Sequence, residues 1–234
     1  MNTFEDNHER GGDSDSWISI SDMMAGLMVI FLFIAITYIR PVQEQQSKIR
    51  EIAVAFNESE LSILNDLRSE FESELPVWNA EIDAETLSIR FKAPDVLFAP
   101  GQTVLKPKFE NIIDDFFPRY LNVLDVHKDN VEEVRIEGHT STDWMGARSS
   151  QDAYFKNMAL SQARTRAVLE YGLSIPYIHQ RFSWARDKIT ANGLSSSRLI
   201  KEDEKENRQA SRRVEFKIRT NAKQQVVKVL ETLE

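Results

Sequence analysis

Residues 17–39 read WISISDMMAGLMVIFLFIAITYI, a run of 23 residues without proline. As a helix, this run would be about 33 Å long, and the hydrocarbon core of a bilayer is about 30 Å thick. Trp17 and Tyr38 lie near its two ends, where amphipathic aromatic side chains meet the lipid headgroups. The run therefore predicts one transmembrane helix, ended by Arg40 and Pro41.

The segment before this run, residues 1–16, is acidic, with Arg10 as its one base against five acids. A secretory signal would begin with basic residues and would place a small-residue cleavage site after the apolar run. Neither feature is present, so we expect a retained span with residues 1–16 as a tail. The bases that follow the span, Arg40, Lys48 and Arg50, weakly favour a cytoplasmic C-terminal part.

Asp22 lies inside the apolar run. A carboxylate at bilayer depth costs about 2.5–3.5 kcal/mol on insertion scales, so a residue that insertion does not need indicates a function. Ser19, Ala25 and Gly26 are three or four positions away and share a helix face with Asp22. That face could pack against another helix and line a path for a proton or cation. Alternatively, Asp22 caps the helix and the span is Met23–Ile39, whose 17 residues are near the lower limit for spanning.

Residues 40–75 predict a helical segment between the membrane and a folded domain. The stretch Val42–Glu74 lacks glycine and proline, and its apolar residues recur at helical spacing with a polar break near Ser59. These apolar positions are Ile49, Ile52, Phe56, Ile63, Leu67 and Phe71. A helix with one apolar stripe often pairs with a copy of itself, so we expect a homodimer through this segment. The alternative is a linker helix that packs on the following domain.

A different pattern begins at Pro76 and predicts an α+β domain over residues 76–234. Short apolar or alternating runs predict strands at Val77–Ile82, Thr86–Phe91, Val134–Gly138, Ile189–Gly193 and Val214–Ile218, with a further apolar piece at Val96–Phe98. Helical spacing predicts helices at Lys108–Val123, Met158–Tyr171 and Asn221–Leu233. The expected architecture is thus a single membrane helix, a helical linker and a β-α-β-α-β-β domain with a closing helix.

The chain of 234 residues has a formal net charge of −8 and no cysteine. The lack of cysteine excludes disulfide scaffolds, cysteine zinc sites and thiol catalysis. The acidic charge disfavours a general nucleic-acid binder, so we expect no direct binding of nucleic acid. The acidity lies in residues 1–16 (−4) and 44–75 (−5), whereas residues 76–234 sum to +1. The predicted domain is therefore compatible with a carboxylate-bearing polymer as its ligand.

Four segments of the C-terminal part occur in an order that resembles the OmpA-like peptidoglycan-binding domain. They read VLFAPGQTVLKPKFENII (96–113), IEGHTS (136–141), NMALSQAR (157–164) and SRRVEFKI (211–218). Each segment alone would be weak evidence, but together they are specific. The resemblance covers residues 77–220 and implies that this domain anchors the chain to the cell wall.

The membrane segment is similar to that of MotB-type stator subunits, with a tryptophan, a short polar stretch, Asp-Met-Met and an apolar run. In that family the aspartate carries the translocated proton or sodium ion, so the resemblance implies this role for Asp22. The phrase SDMMAGLMVIFLFIAI (21–36) and the short distance to the domain resemble the ZorB branch, which belongs to the Zorya anti-phage defence system. A flagellar MotB-type subunit and a passive envelope tether are the alternatives.

The same resemblance implies partners and an orientation. The family forms homodimers and works with a larger multi-span membrane subunit of the MotA or ZorA type. Its N-terminus lies in the cytoplasm, its single helix crosses the bacterial inner membrane, and its C-terminal domain lies in the periplasm. This orientation opposes the weak charge bias above, and we expect the architecture to prevail.

The resemblance also implies residues of the ligand site. Arg164 matches the family's ligand-binding arginine, whose planar fork suits a carboxylate of the peptidoglycan stem peptide. Asn157 and Leu160 match the helix start beside the pocket, where backbone N–H groups would add donors. Of Arg212 and Arg213, we expect one to face the binding surface and the other to support it.

One position departs from the family pattern. The family has an aspartate after Gly-His-Thr that contacts the ligand amine, and this chain has Ser141 there. Asp143, or Asp152 in the predicted loop Thr142–Lys156, could supply the missing carboxylate. Ligand identity therefore depends on which acid faces the pocket.

The sequence shows no pairing of a nucleophile with a base, no metal cluster and no phosphate loop, so we expect no enzymatic activity and no cofactor. His139 has no second histidine or cysteine at ligand spacing. We therefore expect it to be a structural turn residue and expect no metal site.

Overall fold

A computed structural model describes residues 12–92 and 97–221, with side chains from Ile20 onward except those of residues 51–53 and 55–57. Its first element is one 60-residue helix, α1 (Gly12–Phe71). This helix contains a stretch, Ile20–Arg50, that is long and apolar enough to cross a membrane. None of the residues in its most apolar part is buried within the chain. Pro41 lies inside α1 rather than ending it. An internal proline removes one backbone donor and crowds the preceding turn, yet α1 continues through it.

The remaining elements form the expected α+β domain. The helices are α2 (Leu75–Trp78), α3 (Pro107–Val126), α4 (Ser150–Ser174), α5 (Pro176–Arg181), α6 (Ala185–Lys188) and α7 (Arg208–Ser211). The strands are β1 (Ala80–Asp83), β2 (Ser88–Lys92), β3 (Val131–His139), β4 (Ile189–Gly193), β5 (Lys201–Glu202), β6 (Lys205–Glu206) and β7 (Arg213–Thr220).

The main sheet has the strand order β1-β2-β7-β3-β4. Strands β1, β2, β7 and β3 pair antiparallel, whereas β3 and β4 run parallel, with Gly138 opposite Gly193. A parallel pair requires a crossover, and α4 supplies it. Aromatic side chains fill the space between sheet and α3, with Phe116 lying 5.2 Å from Phe91 and 5.0 Å from Phe216 between ring centroids.

The last turns of α1 belong to this core. Ile63, Leu67 and Phe71 are fully buried, and Phe71 lies 5.3 Å from Phe116 between ring centroids. The predicted break near Ser59 is absent, because the helix continues and buries its apolar face against α3. The domain core therefore begins before Pro76, and this end of the stripe packs on the domain, as the linker alternative held. Self-association through residues 42–58 stays a prediction.

Polar contacts hold the same end of α1 in place. Arg119 Nε donates to Glu70 Oε1 at 2.6 Å, and its Nη2 donates to the Glu70 carbonyl oxygen at 2.7 Å. His127 Nε2 lies 2.7 Å from Asp66 Oδ2. These contacts and the buried stripe join α1 to the domain at several points.

Two predicted boundaries are wrong. Residues 77 and 78 belong to α2 rather than a strand, because Pro76 favours a first helical turn and Asn79 ends it in the left-handed conformation with φ 52°. Helix α4 begins at Ser150, because the side chain of Ser149 accepts a hydrogen bond from Asp152 N and caps it. The predicted loop Thr142–Lys156 is therefore helical in its second half. The predicted helix Asn221–Leu233 and residue Val96 lie outside the described residues, except for Asn221 itself.

Candidate ligand-binding site

A cleft of about 650 Å³ opens beside the end of β3 and the middle of α4. All six residues predicted for the ligand site line it: Ser141, Asp143, Asn157, Leu160, Arg164 and Arg212. Sequence reasoning did not assign the other lining residues: Pro100, Gly101, Thr140, Trp144, Met145 and Arg208. Of these, Trp144 and Met145 had a sequence signal, since they are large apolar residues within a polar loop.

Asn157 holds the wall of the cleft. It is 3% exposed, and its Nδ2 donates to the carbonyl oxygens of Ser141 and Asp143, both at 3.1 Å. It lies two turns inside α4, not at the helix start, so α4 contributes no backbone N–H groups at this position. Its amide instead fixes the segment after β3, which sets where Asp143 lies.

Arg164 is held against one side of the cleft. Its Nε donates to the Gln102 carbonyl oxygen at 2.9 Å, and its Nη2 donates to the Ala99 carbonyl oxygen at 3.2 Å. Its guanidinium carbon lies 4.8 Å from the ring centroid of Phe98. These contacts restrict the rotamers of a long side chain, so less conformational entropy is lost when an anion binds.

The structure separates the two candidate acids. Asp143 lines the cleft, and its Oδ2 lies 3.0 Å from Arg208 Nη1. Asp152 does not line the cleft: its carboxylate accepts from Arg148 N and Lys156 Nζ, both at 2.9 Å. The hydrogen bond from Lys156 is the main reason that the pKa of Asp152 lies below its ordinary value. Asp152 therefore stabilises the start of α4.

Arg212 and Arg213 point to different places. Arg212 lines the cleft, and its Nε donates to the Arg208 carbonyl oxygen at 3.2 Å. Arg213 is buried, and its Nε donates to Glu215 Oε1 at 2.6 Å. Arg212 lies between α7 and β7 in an extended conformation, so its side chain and that of Arg213, the first residue of β7, point to opposite sides.

Below the cleft, Glu137, His139 and Glu215 form a buried group whose possible ligand atoms lie within 4.8 Å of one another. His139 is the last residue of β3 rather than part of a turn. Guanidinium groups already neutralise both carboxylates, since Arg198 lies 3.1 Å from Glu137 and both Arg213 and Arg90 contact Glu215. A divalent cation would add further positive charge here, so we assign no metal. Sequence reasoning could have found this group from the pairing of β3 with β7. Glu137 of β3 pairs with Glu215 of β7, and His139 lies two residues further along β3.

Burial shifts the protonation of this network. Burial, assisted by the Arg213 charge, lowers the pKa of His139 to about 3. Burial, the largest single influence, would raise the pKa of Glu215, but the charge and hydrogen bond of Arg213, together with His139 and Arg90, outweigh it, and the pKa lies below its ordinary value. His139 is therefore neutral and Glu215 ionised throughout the neutral range.

The buried, neutral His139 should make the folded chain less stable at acid pH. Unfolded chains protonate histidine at about pH 6.5, whereas folded His139 resists a proton, so stability falls as the pH drops below 6.5. Between pH 6.5 and 4.5 this group alone should remove roughly 2 kcal/mol of unfolding free energy. Urea unfolding of the detergent-solubilised chain should show a flatter pH dependence over this interval for His139→Gln. Parallel losses in both chains would contradict the assignment.

Comparison with known proteins assigns a family to the domain that contains the cleft. The sequence profile of the OmpA family matches residues 97–213. The Zorya protein ZorB of Escherichia coli strain Crooks is 51% identical over 220 residues, which are 94% of either chain. The chain belongs to the ZorB family and carries an OmpA-family domain. The resemblance to the ZorB branch and to the OmpA-like domain, which the motifs predicted, is confirmed.

A solved structure shows the same fold. A MotB-like protein from Desulfovibrio vulgaris is 24% identical with a TM-score of 0.50, over 74% of this chain and 98% of that protein. The cell wall anchor of the type VI secretion system of Pseudomonas aeruginosa is 18% identical with a TM-score of 0.46, over 66% of this chain and 96% of that one. The predicted α+β class is confirmed for this ZorB-family chain.

Proposed function

We propose that the chain is the wall-anchored subunit of an ion-driven, stator-like complex in anti-phage defence. The observation that carries the proposal is the course of α1. One helix joins a carboxylate within its apolar stretch, Asp22, to the core of an OmpA-family domain. The relative named Zorya protein ZorB supports the defence role. In this proposal the N-terminus is cytoplasmic, the helix crosses the inner membrane and the domain binds peptidoglycan in the periplasm.

Asp22 is the residue that would carry a proton or sodium ion. The alternative, a helix cap, conflicts with α1, which already includes Gly12, almost three turns before Asp22. Asp22 therefore lies within a formed helix, where its side chain is exposed on the single chain. Such a carboxylate needs a partner surface within the membrane. A multi-span subunit of the MotA or ZorA type would supply it, and a second copy of the chain would supply the second Asp22.

The cleft suits a ligand with both signs of charge. Arg164 and Arg212 offer guanidinium groups to a carboxylate, and Asp143 offers an acceptor to an amine. Stem peptides that contain diaminopimelate carry both groups. We therefore assign the amine contact, which the family places after Gly-His-Thr, to Asp143, while Ser141 and Asn157 hold the wall of the cleft.

Removal of the Arg164 guanidinium tests the wall contact. An Arg164→Ala chain should bind isolated cell-wall sacculi roughly 10- to 100-fold more weakly, since a charge-assisted hydrogen-bond pair contributes about 1.5–3 kcal/mol. Co-sedimentation of the purified chain with sacculi measures the loss. The matched control is Arg166→Ala, which removes an exposed arginine of α4 that pairs with Glu170 at 2.8 Å. Equal binding by the two variants would refute the assignment of Arg164.

A further inference from the structure

The lining of the cleft includes apolar residues that the charged contacts do not use. These residues are Pro100, Trp144, Met145 and Leu160. Met145 is 99% exposed. A stem-peptide carboxylate and amine would engage only the charged groups. The apolar lining residues therefore suit a second part of the ligand.

The segment that carries Trp144 is anchored at its start and folded into a turn from Trp144 to Ala147. At its start, Thr142 donates from its backbone N and its Oγ1 to the Glu206 carboxylate, at 2.9 and 2.6 Å. At its tip, Ala147 N donates to the Trp144 carbonyl oxygen at 3.2 Å, and Gly146 takes the left-handed conformation with φ 74°. The turn thus presents the Trp144 side chain from a fixed base, as a preformed binding surface requires.

The floor of the cleft contains a second sign of a ligand. Thr140 is 5% exposed, and its Oγ1 has no hydrogen-bond partner among the described residues. A buried hydroxyl without a partner is unfavourable, so a ligand group or water is expected to bind it. The cleft therefore offers ionic, apolar and hydroxyl-binding contacts to one ligand.

We propose that Trp144 forms a saccharide subsite that stacks on a pyranose ring of the wall glycan, next to the peptide contacts of Arg164 and Asp143. The inference rests on the proposed binding of peptidoglycan. A pyranose ring has an apolar C–H face and a hydroxyl rim, and an indole pairs a large apolar face with a polar edge. The stem peptide is attached to the glycan, so one ligand can contact both the charged and the apolar lining residues.

The test compares two soluble ligands with the full-length, detergent-solubilised chain. One is a disaccharide-peptide muropeptide, and the other is the same stem peptide released from its sugar. Calorimetric titration should show that Trp144→Ala weakens muropeptide binding roughly fivefold to tenfold, as loss of an aromatic contact predicts. Binding of the free peptide should stay within twofold. Trp144→Phe, which keeps a ring, should give an intermediate loss.

Phe155→Ala is the control, since Phe155 is an aromatic residue of α4 that is 60% exposed and does not line the cleft. Equal weakening of both ligands by Trp144→Ala would overturn the saccharide subsite, because Trp144 would then act on the peptide or on the cleft shape. Unchanged binding of both ligands would overturn it too. If the unmodified chain binds neither ligand, the proposed function itself fails.

Discussion

An Asp22→Asn chain should insert and accumulate normally but give no protection against phage. Asparagine has almost the same shape, so helix α1 and its membrane insertion should persist, and insertion should become easier without the charge. The amide cannot take up and release a proton, nor supply the negative charge that a sodium ion needs. Every ion-coupled step would therefore stop while the wall contact stays intact.

Plating efficiency of phage on cells that carry the complete system measures this result. A fully defective variant should raise plaque counts to those of cells lacking the system, while immunoblots of membranes show equal amounts of chain. Glu44→Gln is the matched control, because Glu44 lies on the same helix with a 70% exposed side chain and pairs with Lys48. Protection that survives Asp22→Asn would instead favour a passive wall tether.

Six of the twelve residues that line the cleft were predicted from the family motifs and from the departure at Ser141, yet their roles were not. Arg164 and Asn157 come from one motif. Backbone carbonyl oxygens hold Arg164 at the cleft, whereas Asn157 is buried and supports the wall of the cleft. The choice between Asp143 and Asp152 depended on where α4 begins. That boundary rests on one capping hydrogen bond of Ser149, which spacing alone did not reveal.

The course of α1 shows a different limit of sequence reasoning. Pro41 and the polar stretch near Ser59 both indicate local breaks, yet α1 continues through both, and tertiary packing accounts for the helix after Ser59. The fully buried Ile63, Leu67 and Phe71 gain packing against α3, which stabilises the helix far more than local propensity does. Periodicity identified the stripe correctly, but it did not tell whether a second copy or the domain itself covers it.

The consequence for the proposed function is mechanical. Because α1 is one helix whose last turns are core residues, a movement of the membrane helix acts on the domain without a flexible joint among the described residues. Arg119 and His127 reinforce that junction from α3 and the residue after it. Ion-driven force at Asp22 would thus be borne by the wall contact.

Gly193→Ala should strongly destabilise the domain. A Cβ at this position would lie 2.3 Å from the backbone N of Gln162 and 2.6 Å from its Cα, distances at which backbone must move. Gly193 N also donates to Gln162 Oε1 at 3.1 Å, so β4 and α4 meet without a spacer. Forcing extra volume into such a contact costs about 3 kcal/mol, which lowers the Tm of a domain this size by roughly 5–10 °C.

The same displacement should weaken the ligand site, because α4 carries Asn157, Leu160 and Arg164 along the cleft. Calorimetric scans of the detergent-solubilised chain should therefore show a lower Tm, and the folded fraction should bind sacculi less well. Gly26→Ala is the control for the melting measurement, since a Cβ there meets nothing within 4 Å. An unchanged Tm for Gly193→Ala would mean that α4 does not rest on β4 as closely as described, and the positions of the cleft residues would then need revision.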